Sequence, residues 1–154
     1  MSQKLRKPLV DREEGFTLIE VLAVMVIIGI LAAIAIPAFF NQRNKANDSG
    51  AKEMAHTSRV AIEALGTDND GSYSTASPAA LNAVDRSIPT AAGSPPKPYV
   101  SAASGTSNSW TVTITASTGN TFTVAKSSAG AVSFTCTVPS GNDRGGCPSN
   151  GNWG

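Results

Sequence analysis

Glu20 is the one ionisable side chain in the 25 residues from Phe16 to Phe40, FTLIEVLAVMVIIGILAAIAIPAFF. An ionised group at membrane depth costs roughly 2.5–3.5 kcal/mol near a helix centre and less toward an end, so a carboxylate there calls for a partner. Glu20 lies four residues after Phe16. A cut between Gly15 and Phe16 would create an α-ammonium at the start of the apolar run. That cation and Glu20 would be matched partners, and losing either would strand the other charge in an apolar setting. A second candidate pair is Cys136 and Cys147, eleven positions apart. Outside the cytoplasm they can form a disulfide worth roughly 2–3 kcal/mol; in a reducing compartment they are two free thiols. The other polar residues have plainer readings. His56 stands alone on a helix and reads as solvated. Asp68-Asn69-Asp70-Gly71 opens like a calcium loop but lacks the later ligands and the closing Glu, so it reads as a turn. Asn47-Asp48-Ser49 fits a glycosylation sequon, yet falls inside a helical stretch. One histidine and two cysteines cannot make a Cys/His zinc site, so no metal is expected. The sequence holds no Ser/His/Asp set, P-loop or dinucleotide fingerprint, so no catalytic residue and no cofactor are assigned, and the protein is not expected to be an enzyme.

The elements that carry these residues follow from composition. The 154 residues suit one domain, and 12 Lys+Arg against 11 Asp+Glu give a net charge of +1. No specific nucleic-acid site is evident in so balanced a chain. The run 16–40 would rise about 37 Å as a helix, enough for a bilayer core of about 30 Å. It is apolar all round, unlike the surface helix of a globular domain. Lys4, Arg6, Lys7 and Arg12 precede it, which places residues 1–15 in the cytoplasm and the C-terminal bulk outside. Two simpler readings compete. A secretory signal peptide would be cut near Ala33-Ile34-Ala35, but the run is longer than an ordinary apolar core and contains Glu20. A plain uncleaved anchor explains the span but neither Gly15 nor Glu20.

Beyond Phe40 the apolar residues Ala51, Met54, Ala55, Ala61, Ile62 and Leu65 recur at helical spacing, so the helix should continue amphipathically to about residue 66. Asp48 and Lys52 stand at i,i+4 in the favourable order. Pro37 and Asn47-Asp48-Ser49-Gly50 are weak points, and Pro37 is expected to kink the helix. Residues 67–108 read as a connecting loop with a short helix opened by Ser77-Pro78 over 78–86. From 109 to 138 the period becomes two. Trp110, Val112 and Ile114 alternate with threonines; Phe122 and Val124 follow one turn, and Val132, Phe134, Cys136 and Val138 another. This makes a three-stranded antiparallel meander, and residues 136–154 form a Gly/Pro/Asn-rich tail. The fold class is α+β, a long N-terminal helix packed on a small three-stranded sheet.

Gly15-Phe16-Thr17-Leu18-Ile19-Glu20, with the apolar run ending Ala33-Ile34-Ala35-Ile36-Pro37, resembles the N-terminal signature of type IV pilins and pseudopilins. The resemblance covers about 30 residues closely. It implies a prepilin peptidase that cuts after Gly15 and methylates the Phe16 amine, with Glu20 pairing with the Phe16 ammonium of a neighbouring subunit. Pro37 would be the helix-disrupting proline of the stem. The Cys136–Cys147 spacing agrees with the C-terminal disulfide loop of many pilins. The expected organisation is a leader 1–15, a transmembrane and filament-core helix 16–40, and a soluble head 41–154. The function implied is the major subunit of a type IV pilus, first a single-pass protein of the plasma membrane and then part of a surface filament. Implied partners are further copies of itself, the peptidase, an assembly platform, a motor ATPase and minor pilins. Alternatives are a minor pilin or pseudopilin of a secretion or DNA-uptake system, and a membrane-anchored extracytoplasmic binding domain. Without residues 1–15 the chain holds eight basic and eight acidic residues, a balance that permits identical copies to approach.

Overall fold

The computed structural model describes residues 15–154; the expected leader, apart from Gly15, lies outside the described residues. The element order is α1 (Leu18–Asp68), α2 (Pro78–Val84), β1 (Tyr99–Gly105), β2 (Trp110–Thr115), β3 (Thr121–Lys126) and β4 (Val132–Thr137). The chain divides into two units, Met1–Pro37 and Ala38–Gly154. In the first, the residues of α1 are exposed almost throughout, including Leu22, Ile28, Leu31 and Ile34. Pro37 lies inside α1, which is assigned as one 51-residue helix.

The second unit has one antiparallel sheet in the order β1-β2-β3-β4. The expectation of three strands is corrected to four. The additional strand, β1, falls in the segment that reads as a loop because Tyr99-Val100-Ser101-Ala102-Ala103-Ser104-Gly105 is mostly small residues with weak strand preference. A bulge between Val100 and Ala102 further breaks its alternation. Pairing with β2 through Tyr99↔Thr115 and Val100↔Ile114 makes it a strand all the same. The short helix ends at Val84, two residues before the expected boundary: Asp85 is extended and its N–H closes on the Leu81 carbonyl. Ser77 caps the other end, its hydroxyl accepting from Ala80 N at 3.1 Å.

The inner face of the sheet presents Val100, Trp110, Val112, Ile114, Phe122 and Val124, all buried. Opposite them α1 supplies Ala51, Ala55, Ser58 and Ile62, one stripe at i, i+4, i+7 and i+11. Small helix residues leave room for the large strand side chains. Ile62 is buried as the spacing suggests, whereas Met54 only packs at the margin of the core. The outer face is nearly all hydroxyl, with Thr113 and Thr123 hydroxyls 3.0 Å apart across β2 and β3. Gly66 lies inside the last turns of α1, where the Tyr73 ring occupies the space that a Cβ would need. The helix closes with Gly71 N bonding Gly66 O at 2.7 Å, after Asp70 enters positive φ.

Candidate functional site

The helix N-terminus is built from Gly15 to Glu20. Gly15 is exposed, with none of the described residues within 4 Å of where its Cβ would stand, and Phe16 is 90% exposed. Among the described residues, both that flank the Gly15–Phe16 peptide bond are exposed. Thr17 precedes the first helical residue and Glu20 closes on it. Glu20 Oε2 accepts from Thr17 N at 2.8 Å and from Thr17 Oγ1 at 2.7 Å, while Glu20 N donates back to Thr17 Oγ1 at 3.3 Å. This is a reciprocal capping box: two otherwise unpaired helix-start donors are satisfied by side chains three residues apart. Glu20 is thus held by its own helix end while the Phe16 nitrogen is still in peptide linkage. Thr17 is not among the residues singled out from sequence, although Thr-x-x-Glu before an apolar run is its recognisable signal.

Below that cap the helix is apolar on every side. An 18-residue window in α1 has a mean hydropathy of 2.9, none of it buried, and α1 is the one helix among the described residues long and apolar enough to cross a membrane. Dry neighbours, lipid or protein, are what such a surface requires.

In the second unit three groups hold the later part of α1 to the sheet and tail. The first is Asp48, which is fully buried. Its carboxylate accepts from Thr118 Oγ1, from Asn120 Nδ2 at 2.9 Å and from the backbone N–H of Gly146 at 2.8 Å. Gly145 and Gly146 pass so close to Asp48 that a side chain at Gly145 would collide with its carboxylate and one at Gly146 with its Cβ. The expected Asp48–Lys52 pairing is therefore corrected. Asp48 turns inward to neutral donors, and the Lys52 ammonium lies 5.6 Å from the Phe122 ring centre and 5.7 Å from that of Trp153.

The second group is centred on Glu63. Trp110 Nε1 donates to it at 3.1 Å, Tyr73 Oη at 2.6 Å and Lys126 Nζ at 3.1 Å. Burial pushes the Glu63 carboxyl up, but the bonds from Tyr73, Lys126 and Trp110, with the Lys126 charge, outweigh it and hold the carboxyl below the usual range. The Lys126 ammonium is raised, first by its bond to Tyr73 and then by Glu63.

The third group is the tail. Cys136 and Cys147 form a disulfide, closing the 11-residue separation. The tail also pairs with β4, through Cys136 N to Gly151 O at 2.8 Å and Trp153 Nε1 to Thr135 O at 2.8 Å. His56 is exposed, but it is more than a solvated residue: its ring centre lies 5.6 Å from Phe134 and 5.4 Å from Trp153. The roles of Asp48, Glu63 and Asn120 escape a sequence reading because each has a partner far along the chain: Trp110 lies 47 residues from Glu63, Asn120 lies 72 from Asp48, and Gly146 lies 98 from Asp48. Among the described residues no three His, Cys, Asp or Glu side chains are grouped to hold a metal ion.

Residues 11–36 match the family model described as the prokaryotic N-terminal methylation motif. The chain carries that methylation motif. It spans the exposed Gly15-Phe16 junction, the capped Glu20 and most of the apolar stretch. The chain is 40% identical over 53 residues to the type II secretion system core protein G of Escherichia coli, which covers 34% of this chain and 34% of that protein. It is 48% identical over 50 residues to the type IV narrow pilus major component PilA5 of Thermus thermophilus, covering 32% of this chain and 43% of that one. The chain thus matches less than half the length of either relative. No solved structure matches it. The chain is thus similar in sequence to a pilus component and to a secretion protein over about a third of its length, and it joins that motif to an α+β architecture of a long apolar helix and a four-stranded antiparallel sheet.

Proposed function

We propose that this chain is the precursor of the major structural subunit of a type IV pilus and has no catalytic role. A prepilin peptidase cuts after Gly15 and methylates the Phe16 amine. Release of that amine gives Glu20 a charged partner in place of its neutral cap, and the Phe16 ammonium of a neighbouring copy takes up the carboxylate in an apolar surrounding. Residues 16–40 anchor the new subunit in the plasma membrane and then pass into the filament core. Lipid and filament interior are both apolar, so burial supplies little drive and packing with the Glu20 pairing supplies selectivity. Residues 41–154 form the head exposed on the filament surface. An assembly platform, a motor ATPase and minor pilins are the partners this process requires.

The observation that carries this reading is a methylation motif on a helix whose apolar side chains are exposed from Leu18 to Phe40. The first test is the mass and N-terminal sequence of cell-associated protein. A chain beginning with N-methylated Phe16 is the expected result; a start at Ile36, or an intact N-terminus in cells with the peptidase, would overturn the reading. The similarity to the E. coli secretion protein favours a second reading, a pseudopilin of a secretion machine. Both predict methylated Phe16. They separate on whether the chain dominates filaments sheared from the cell surface.

A further inference from the structure

β4 is the strand at one edge of the sheet, and its own residues do little to protect that edge. Val132-Ser133-Phe134-Thr135-Cys136-Thr137 has no charge, no proline and no glycine, and its register with β3 runs unbroken. Further strands add most readily to such segments, and proteins ordinarily blunt them with Lys, Pro or a bulge. The opposite edge shows that defence. β1 carries the bulge between Val100 and Ala102, and Val100 N donates to Pro89 O at 2.9 Å. Just beyond the strand, Tyr73 N reaches Thr106 O at 2.8 Å.

The cover on β4 comes from residues 150–153 instead. Asn152 stands opposite Thr135 in the antiparallel sense, with Cys136 N donating to Gly151 O at 2.8 Å and Trp153 N to Phe134 O at 3.3 Å. Among the described residues, those two bonds are the whole backbone pairing between this segment and β4. The rest of the hold is Trp153. Its Nε1 donates to Thr135 O at 2.8 Å, and its ring centre lies 5.0 Å from that of Phe134 and 5.9 Å from that of Phe122. Gly151 holds a positive φ of 69°, and a Cβ there would stand 3.4 Å from Cys136 O. Backbone direction alternates along a strand, so Val132 faces the same edge as Phe134 and Cys136.

We propose that residues 150–153 guard a latent docking edge, and that the strand they exclude is β4 of a second copy of this chain. Two β4 strands paired antiparallel about a two-fold axis keep Val132, Phe134 and Cys136 on the inner face of both and the hydroxyls on the outer face of both. No like charges meet across that contact. The exchange replaces two backbone bonds in each chain by a ladder along β4 and joins two sheets into one. The disulfide keeps the guard at hand, because it ties Cys147 to the very strand that the guard covers. The inference concerns the head alone and does not depend on the pilus reading.

The test uses the full chain in detergent, with self-association read by sedimentation equilibrium. Trp153→Pro removes the backbone donor, the indole bond and the ring together, and should tighten self-association about tenfold. Gly151→Val leaves Trp153 in place but crowds Cys136 O and disfavours the positive φ, so it should act in the same direction. It decides the matter if Trp153→Pro loses cooperative thermal unfolding. Adding Ser133→Lys and Thr135→Lys, both on the exposed outer face, sets like charges across the new contact and should return each variant to the dissociation constant of the unaltered chain. Unchanged self-association in a folded variant would overturn the proposal. An excess that the paired lysines leave in place would overturn it too, since the contact would then lie elsewhere.

Discussion

Two carboxylates mark the contrast between the two units of this chain. Glu20 belongs to the first, and among the described residues its side-chain hydrogen bonds reach only Thr17, three residues away. Asp48 belongs to the second, and its donors come from Thr118, Asn120 and Gly146, 70 to 98 residues away. A group satisfied locally can be released without disturbing anything distant. A group satisfied by three separate segments fixes those segments to one another. The carboxylate of the first unit is thus held within one helix turn, and that of the second joins segments far apart in the chain.

The largest test of this contrast removes the charge at Glu20. Glu20→Gln can still accept from Thr17, so membrane insertion and the helix start should survive while filaments are lost; normal filaments would refute the charge pairing. Asp48→Ala should destabilise the head by about 3 kcal/mol, because three donors lose one acceptor in a buried site. Thermal unfolding of the full chain in detergent measures this, and an unchanged midpoint would remove Asp48 as the anchor. Replacing Cys136 and Cys147 together by serine should cost about 2–3 kcal/mol and speed proteolysis after Pro139, without affecting cleavage at Gly15. Thr17→Val, which removes the cap and leaves the carboxylate, should cost the helix end about 1 kcal/mol and leave the yield of sheared filaments in place.

The smallest effect concerns Glu63 and Lys126. The folded carboxyl is depressed, so its contribution is complete above the unfolded value of about 4.3 and is lost as pH falls through the folded value. The ammonium is raised, so its contribution is complete below about 10.4 and is lost as pH climbs through the folded value. Both side chains are partly exposed, and solvent screening keeps the pair at about 1 kcal/mol or less. Glu63→Gln should flatten the acid limb of a stability–pH curve; an unchanged limb would assign acid sensitivity to other groups.

What can be read in advance divides along the same line. The strands Trp110–Thr115, Thr121–Lys126 and Val132–Thr137 are legible because alternation is a property of neighbouring residues. Strand β1 is not, since Ser, Ala and Gly carry little local preference and its pairing with Thr113, Thr115 and Ile114 is what makes it extended. Lys52 reads wrongly as the partner of Asp48 for a related reason. Helical spacing brings the two close in sequence, but which way each turns depends on a sheet and tail far along the chain.

The apolar span, the lone carboxylate four residues after Phe16 and the turns that divide the meander follow from the order of residues alone. These rest on chain chemistry within a few residues, where spacing and side-chain type suffice. Folding in three dimensions is what makes Asp48 the interior anchor, brings Trp110, Tyr73 and Lys126 onto Glu63 and docks Trp153 of the tail beside Phe134. Each of those is a meeting of distant segments, and the energy that selects it appears only once the core has brought them together.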